Sequence, residues 1–187
     1  MNRGQQDQSR REFLRECLWC GGLAFLGATG ASLAARAGKT ELVWQIDPVK
    51  CPGCGDCEPL CVKSVSAVKA YRAYERCGYC RLCHGYFRPG TKDPTPAVEN
   101  RLCPNDAMVR KEIADGVFEY EVDESRCIGC GRCVDRCRRS GNGAMYLQVR
   151  QDLCLHCNDC ALARRCPEKA MVRQPLESPY LHLKGSR

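Results

Sequence analysis

The sequence predicts a small α+β fold, in which short strands and helices wrap around four cysteine-rich loops. Three observations predict it. Of 18 cysteines, sixteen divide into four groups of four. Each group is followed by a short strand-like run. The residues left over supply few large apolar side chains, and a chain with so little core needs cross-links to hold its shape.

The first 37 residues stand apart. "SRREFLR", Ser9 to Arg15, is basic. Cys20 to Ala35 is weakly hydrophobic and broken by glycines, and Ala35-Arg36-Ala37 forms a small-x-small cleavage site. A membrane-spanning helix wants about twenty strongly apolar residues, and this segment is shorter and glycine-rich. The adjacent Arg10 and Arg11 resemble the twin-arginine export signal, an address read by a receptor. Residues 1–37 are therefore expected to be a leader that is removed, with a loose membrane anchor as the alternative. Cys17 and Cys20 lie inside it and are read as incidental. Trp19 occupies the place where a lipid-bearing cysteine would want a small residue.

The body, 38–187, begins with "ELVWQID", Glu41 to Asp47, an alternating run that reads as a strand. Loop one follows as "CPGCGDCEPLC", with Cys51, Cys54, Cys57 and Cys61. Loop two is "CGYCRLC", with Cys77, Cys80 and Cys83, completed by Cys103. Loop three is "CIGCGRCVDRC", with Cys127, Cys130, Cys133 and Cys137. Loop four is "CLHCNDCALARRC", with Cys154, Cys157, Cys160 and Cys166. Soon after each fourth cysteine comes Ala and an apolar residue: "SAVKAY" at Ala67, "DAMVRK" at Ala107, "GAMYLQV" at Ala144 and "KAMVRQ" at Ala170. Each reads as a short strand leaving its loop. "KEIADGVFEYEV", Lys111 to Val122, carries Ala-Asp-Gly between two strand-like runs and reads as a hairpin. The body is thus a fourfold repeat of cysteine loop plus strand.

Three cysteines at two-residue gaps, with a fourth nearby, form the run that wraps a [4Fe-4S] cube. A short coiling loop can place three thiolates on three iron corners while its N–H groups turn toward the sulfurs; the fourth corner is filled from elsewhere. A disulfide framework would not repeat this triplet four times. Structural zinc prefers two CxxC pairs, often with His, and His84, His156 and His182 show no ligand spacing. His84 and His156 are read as surface or hydrogen-bonding residues, and Tyr79, Tyr86 and Phe87 as packing around loop two.

Net charge over the body is +5, from 24 Lys and Arg against 19 Asp and Glu. No basic stripe is interleaved with stacking aromatics, which argues against nucleic acid. Four oxidised cubes with their thiolates contribute about −2 each, so the basic excess reads as counter-charge. Arg126, Arg132, Arg136, Arg138 and Arg139 crowd loop three, and Arg126, Arg132, Arg138 and Arg139 are expected to raise the potential of nearby cubes above that of one bordered by Asp56 and Glu58. No catalytic residues are assigned: the radical-enzyme spacing CxxxCxxC is absent, since Ser64 follows Cys61, and there is no Gly-rich nucleotide loop or Ser/His/Asp set. The function expected is electron transfer, with no small-molecule substrate of its own and no turnover.

Four such loops behind a twin-arginine leader resemble the four-cluster ferredoxin subunits of exported respiratory oxidoreductases, as in formate dehydrogenase, dimethyl sulfoxide reductase and polysulfide reductase systems. The resemblance covers about Asp47 to Gln174. It implies redox protein partners, including a quinone- or haem-linked membrane subunit, and a location in the periplasm or on the outer face of the cytoplasmic membrane. The chain departs from the family in lacking long docking insertions and in having Val62 and Arg138 where Pro would follow Cys61 and Cys137; a stand-alone exported polyferredoxin is the alternative, an iron–sulfur enzyme the lesser one. In two-cluster ferredoxins the fourth cysteine of each run ligates the other cluster, so two bacterial-ferredoxin-like halves are expected. Spacing alone leaves the pairing open. The resemblance implies that loops two and three nest inside loops one and four. That gives an outer half of 40–63 plus 151–175 and an inner half of 64–150. The implied ligand sets are Cys51, Cys54, Cys57, Cys166; Cys154, Cys157, Cys160, Cys61; Cys77, Cys80, Cys83, Cys137; and Cys127, Cys130, Cys133, Cys103.

Overall fold

The computed structural model describes Arg15, Leu18, Trp19 and residues 41–181. The leader features Arg10, Arg11, Cys17, Cys20 and the site at Ala35-Arg36-Ala37 lie outside the described residues, as does His182. Among the described residues, no helix is long and apolar enough to cross a membrane.

Three antiparallel two-stranded ribbons organise the body. β1 (Leu42–Ile46) pairs with β6 (Met171–Pro175), Ile46 opposite Met171. β2 (Val68–Arg72) pairs with β5 (Met145–Val149), Val68 opposite Val149. β3 (Met108–Ala114) and β4 (Val117–Val122) form a hairpin whose turn is Asp115-Gly116, with Gly116 at φ 70°. A positive φ costs glycine nothing at such a turn. The first strand therefore meets the last, and the ribbon between them is made by the strands that follow loops one and three. Each run read as a strand from the sequence is a strand here.

β5 is buried along its whole length because both β1 and a helix pack on it. That helix, α1 (Arg132–Ser140), starts beyond Gly131 and ends where the Gly141 N–H donates to the Cys137 carbonyl at 2.9 Å. Arg138 and Arg139 sit in its last turn, where free carbonyls favour cations. Cys133 and Cys137 are four apart and so share one helical face. α2 (Ala161–Arg165) is a single turn longer than a bend and leads straight into Cys166. Among the described residues of the four loops, α-helix occurs in loops three and four, and loop two carries a single 3-10 turn at Val98–Asn100. Loops one and two close with turns instead, at Gly55 and Pro59 and at Gly85 to Gly90, where Gly and Pro punctuate the chain.

A buried side chain ties the β2–β5 ribbon to the β1–β6 ribbon. Gln148 of β5 is buried, and its Oε1 accepts from the Ile46 N–H at 2.8 Å while its Nε2 donates to the Ile46 carbonyl at 3.2 Å. It supplies to β1 the bonds that another strand would, which satisfies a backbone edge inside the core. The most deeply buried large side chains are Tyr120, Ile46, Leu147, Val43, Val68 and Val134. This is a thin core, and the cysteines of all four loops pack against it.

Candidate iron–sulfur sites

Each loop turns on one backbone position. The residue before the second cysteine has a left-handed conformation in all four: Gly53 at φ 75°, Tyr79 at 50°, Gly129 at 78° and His156 at 50°. A left-handed residue following right-handed or extended ones turns successive N–H groups into a concavity that attracts anions. The consequence is visible at His156, whose N–H donates to Cys154 Sγ at 3.4 Å. A second left-handed residue precedes the strand alanine in three modules, at Asp106, Gly143 and Lys169. In two of these the alanine N–H then reaches the fourth sulfur: Ala107 to Cys103 Sγ at 3.3 Å and Ala170 to Cys166 Sγ at 3.2 Å. The Ala70 N–H of β2 likewise donates to Cys127 Sγ at 3.3 Å. N–H donors aimed at sulfur stabilise thiolate over thiol and are one of the protein's levers on a bound cluster.

The sixteen cysteines are all unpaired. Burial pushes the Cys57 thiol up to about 12, and the neighbouring charges of Cys51, Cys54 and Cys166 add to the effect. Burial also raises Cys51, again with Cys166 and Cys54 contributing. Cys83 is driven by burial to about 11, helped by Cys137 and Cys77. Burial raises Cys133 strongly, and Cys127, Cys130 and Cys103 follow as causes. Burial raises Cys154, with Cys160, Cys157 and Cys61 adding to it. In each case the fourth-position cysteine of one loop stands beside the triplet of another. Two of the groups ring a cavity. One is lined by Cys61, Cys154, Cys157 and Cys160 with Trp44 and Leu60, the other by Cys103, Cys127, Cys130 and Cys133 with Ala70 and Met108. Cys80 is an exposed thiol of its loop, held through its carbonyl by the Tyr120 hydroxyl at 3.0 Å.

Cys61 is the exception to this upward trend. Burial would raise it, but the N–H groups of Lys63 and Ala67, the Ser66 side chain and the Lys63 charge together bring it below an ordinary thiol. Cys51, Cys57, Cys83, Cys130, Cys133 and Cys154 resist ionisation, first because they are buried and then because neighbouring thiolates raise them further. Only a polycationic group in their midst reverses that, since a coordinated thiol is deprotonated outright. Thiols in fours, left-handed loop cradles and N–H donors at sulfur together fit a [4Fe-4S] cluster.

The arginines grouped around loop three in the sequence divide among different partners, and of them Arg132 stays beside Cys130. Arg126 is engaged by Asp123 at 2.7 Å, and that carboxyl is held down at about 2 by the Ser125 hydroxyl and by Arg126. Arg139 is engaged by Asp135 at 2.6 Å. Arg138 leaves its own loop altogether: it donates to the carbonyl of Cys51, and to that of Pro48 at 2.7 Å. It therefore serves the acidic-bordered loop one with which it had been contrasted. Three cations missed by sequence reasoning do the same for other loops. Lys63 donates to the Leu153 carbonyl, next to Cys154, at 2.8 Å. Lys69 donates to the Cys127 carbonyl. Arg72 places Nη1 3.6 Å from Cys77 Sγ. A cation thus stands at or beside the first cysteine of every loop. For Lys69 and Arg72 the sequence signal was slight, a basic residue inside an otherwise apolar strand.

The aromatics behave as expected. Tyr86 and Phe87 are buried, 4.8 Å apart edge to face, with Tyr120 5.4 Å from Tyr86. Tyr79 is half-buried beneath Arg72. His156 is exposed, its Nε2 3.2 Å from the Gln151 carbonyl, and His84 is partly exposed beside Cys83.

Residues 100–142 match the 4Fe-4S dicluster domain family. Over 197 aligned residues the chain is 24% identical to the uncharacterized ferredoxin-like protein YdhX of Escherichia coli strain K12, covering 92% of this chain and 82% of that protein. The same figures hold for YdhX of Escherichia coli O157:H7. It is 35% identical over 60 residues to the uncharacterized ferredoxin MJ0722 of Methanocaldococcus jannaschii, covering 29% of this chain and 75% of that one. With its thiols in fours and its sulfur-directed N–H groups, the chain belongs to the ferredoxins, as a 4Fe-4S iron–sulfur protein of electron transfer.

Proposed function

We propose that this ferredoxin is a four-cluster relay between a redox partner and a membrane respiratory complex. The observation that carries the reading is the exchange of fourth cysteines: Cys166 stands with Cys51, Cys54 and Cys57, and Cys61 with Cys154, Cys157 and Cys160, while Cys137 stands with Cys77 and Cys83, and Cys103 with Cys127, Cys130 and Cys133. Each bound cluster supplies one-electron storage at its site. The chain's own contribution is to hold the thiols, aim N–H groups at them and exclude water from them. Strand pairing supports the nested halves, since β1 and β6 enclose β2 and β5. The leader's Arg10 and Arg11 support export through the twin-arginine route, which suits a protein whose clusters are installed before it crosses. The partners proposed are redox subunits, one of them quinone- or haem-linked in the membrane.

Anaerobically purified protein should contain about sixteen irons and about sixteen acid-labile sulfides per chain. About eight irons, or stoichiometric zinc, would overturn the four-cluster reading. A chain running from Ser64 to Arg150 should retain about eight irons, whereas one from Thr40 to Ile113 should not; the reverse would establish tandem pairing. Arg10→Lys with Arg11→Lys should leave a cluster-loaded precursor in the cytoplasm, and undiminished export of that variant would remove the export proposal.

A further inference from the structure

The cations at the first cysteines differ in one respect that matters, which is burial. Lys69 is 4% exposed and Arg72 3%, both on β2. Lys63 is half-buried, and Arg138 lies exposed on α1. Coulombic interaction weakens as the local dielectric rises, and salt screens charges in solvent far more than charges in the interior. Equal charges at similar places therefore act unequally: those of β2 act more strongly than the other two, which act through water.

The two buried cations also differ from each other. Arg72 pairs with Glu119 at 2.9 Å and stacks over the Tyr74 ring at 3.9 Å, so part of its field is cancelled locally. Lys69 meets no carboxylate among the described residues within ion-pair distance and has the Cys127 carbonyl as its acceptor. Its immediate neighbour Ala70 donates to the sulfur of that same Cys127. One stretch of β2 thus bonds Cys127 twice, with a fixed charge at the carbonyl and a dipole at the sulfur. A buried carbonyl needs only a donor, which a neutral amide could be. A full ammonium is more than that need explains.

Resting on the ligand sets of the proposed function, we propose that Lys69 and Arg72 are the potential-setting residues of the inner half. Reduction adds a negative charge to a cluster, and a fixed buried cation favours the product over the reactant. The site of Cys103, Cys127, Cys130 and Cys133 is then the highest in potential, that of Cys77, Cys80, Cys83 and Cys137 the next, and the two outer sites the lowest. Electrons delivered to the chain collect in the inner half, and β2 is the strand that holds them there. These are positioning residues: they act through Cys127 and Cys77 and take no part in transfer themselves.

The test is an EPR-monitored redox titration of the full chain, after iron analysis of each sample. Lys69→Gln keeps a donor for the Cys127 carbonyl and removes the charge. It should lower one midpoint, so that the reduced fraction of that site at a fixed potential falls roughly tenfold, and leave the other three in place. Arg72→Gln should lower a different midpoint by less. Lys69→Arg should restore the parent value, which a purely structural donor role does not require. Arg138→Gln should give a smaller shift that fades in high salt. Fully loaded Lys69→Gln protein with all four midpoints unmoved, or a shift that Lys69→Arg fails to restore, overturns the proposal. If Lys69→Gln loses iron, Arg72→Gln decides: an unmoved midpoint there overturns it as well. Parent protein with about eight irons would instead overturn the ligand sets, a failure visible in the iron analysis before any titration.

Discussion

Loops one and three press backbone on backbone, whereas loops two and four carry side chains at the equivalent turn. Gly53 and Gly129 hold the left-handed position in the first pair, Tyr79 and His156 in the second, at φ values between 50° and 78°. The conformation alone does not demand glycine, then, because two bulky residues adopt it. Space does. A Cβ on Gly129 would stand 2.5 Å from the Val68 carbonyl oxygen, one on Gly131 2.6 Å from that of Gly53, and one on Gly55 2.8 Å from that of Cys130. In loops two and four the same position looks outward, under Arg72 in one case and to solvent in the other. Gly55, Gly129 and Gly131 mark where loops one and three meet backbone too closely for a Cβ, and Tyr79 and His156 mark where the equivalent turn leaves room for one.

The largest effect that bears on this contrast is removal of iron. The core is thin, and burial together with mutual repulsion raises buried thiols such as Cys57 and Cys83, so the body has little to hold it once the clusters leave. Chelation under reducing conditions should abolish resistance to proteolysis across 42–181. Partial removal sharpens the comparison. Cleavage should appear first in the 84–102 segment of loop two and around His156, and last at Gly53 and Gly131, where the loops interlock. Early cleavage at Gly53 would break the contrast.

Next in size is addition of a methyl group at the interlock. Gly131→Ala combines a backbone collision with an unfavourable φ, and neither partner is a side-chain tip that can move aside. Clashes and strain of this kind cost on the order of 3 kcal/mol or more, enough in a marginal protein to prevent loading. Gly131→Ala and Gly129→Ala should each lose more than half of the bound iron. Tyr79→Ala and His156→Ala, at positions that already carry a Cβ, should keep nearly all of it. Equal loss in the two pairs would mean that conformation, and not packing, selects glycine here.

Much of this arrangement was legible in the sequence, and the reasons differ by element. The loops were legible because metal ligation fixes cysteine spacing regardless of tertiary context. The strands were legible because each is short and follows a loop at a constant place, and the β3–β4 hairpin because Asp115-Gly116 has few other uses. What could not be read was partnership between distant residues. Five arginines around loop three looked like one positive surface. Asp123 and Asp135 engage two of them, and Arg138 reaches to Cys51. Lys69 and Arg72 carried no mark of their own inside the strand that follows loop one. They are three apart and so face opposite sides of β2, yet both are buried, because β2 is covered along most of its length and the sequence of a strand carries no information about what lies over each face. Gln148 was invisible for the same reason, since its role is to stand in for a strand that the chain does not have.

The smallest effect concerns the strain that loops two and four accept. A bulky residue in the left-handed region costs about 1–2 kcal/mol relative to glycine, while glycine gives back roughly 0.5–1 kcal/mol through the extra freedom of the unfolded chain. At His156 little else is lost on substitution, because the ring is exposed and its one contact, to the Gln151 carbonyl, is replaceable by water. His156→Gly should thus lose iron on warming no faster than the parent, and by this arithmetic slightly more slowly. Tyr79 differs. Its ring lies 5.4 Å from the Arg72 guanidinium, which also faces Cys77 Sγ, and it is half-buried. Removing the ring exposes that buried cation to water and forfeits a contact worth about 0.5–2 kcal/mol, which offsets the relief of strain. Tyr79→Gly should therefore release iron a few-fold faster than the parent, while His156→Gly does not. If His156→Gly released iron as fast as Gly131→Ala, the left-handed turn of loop four would depend on its side chain, and the distinction between touching and outward-facing loops would fail at the position where it is simplest to measure.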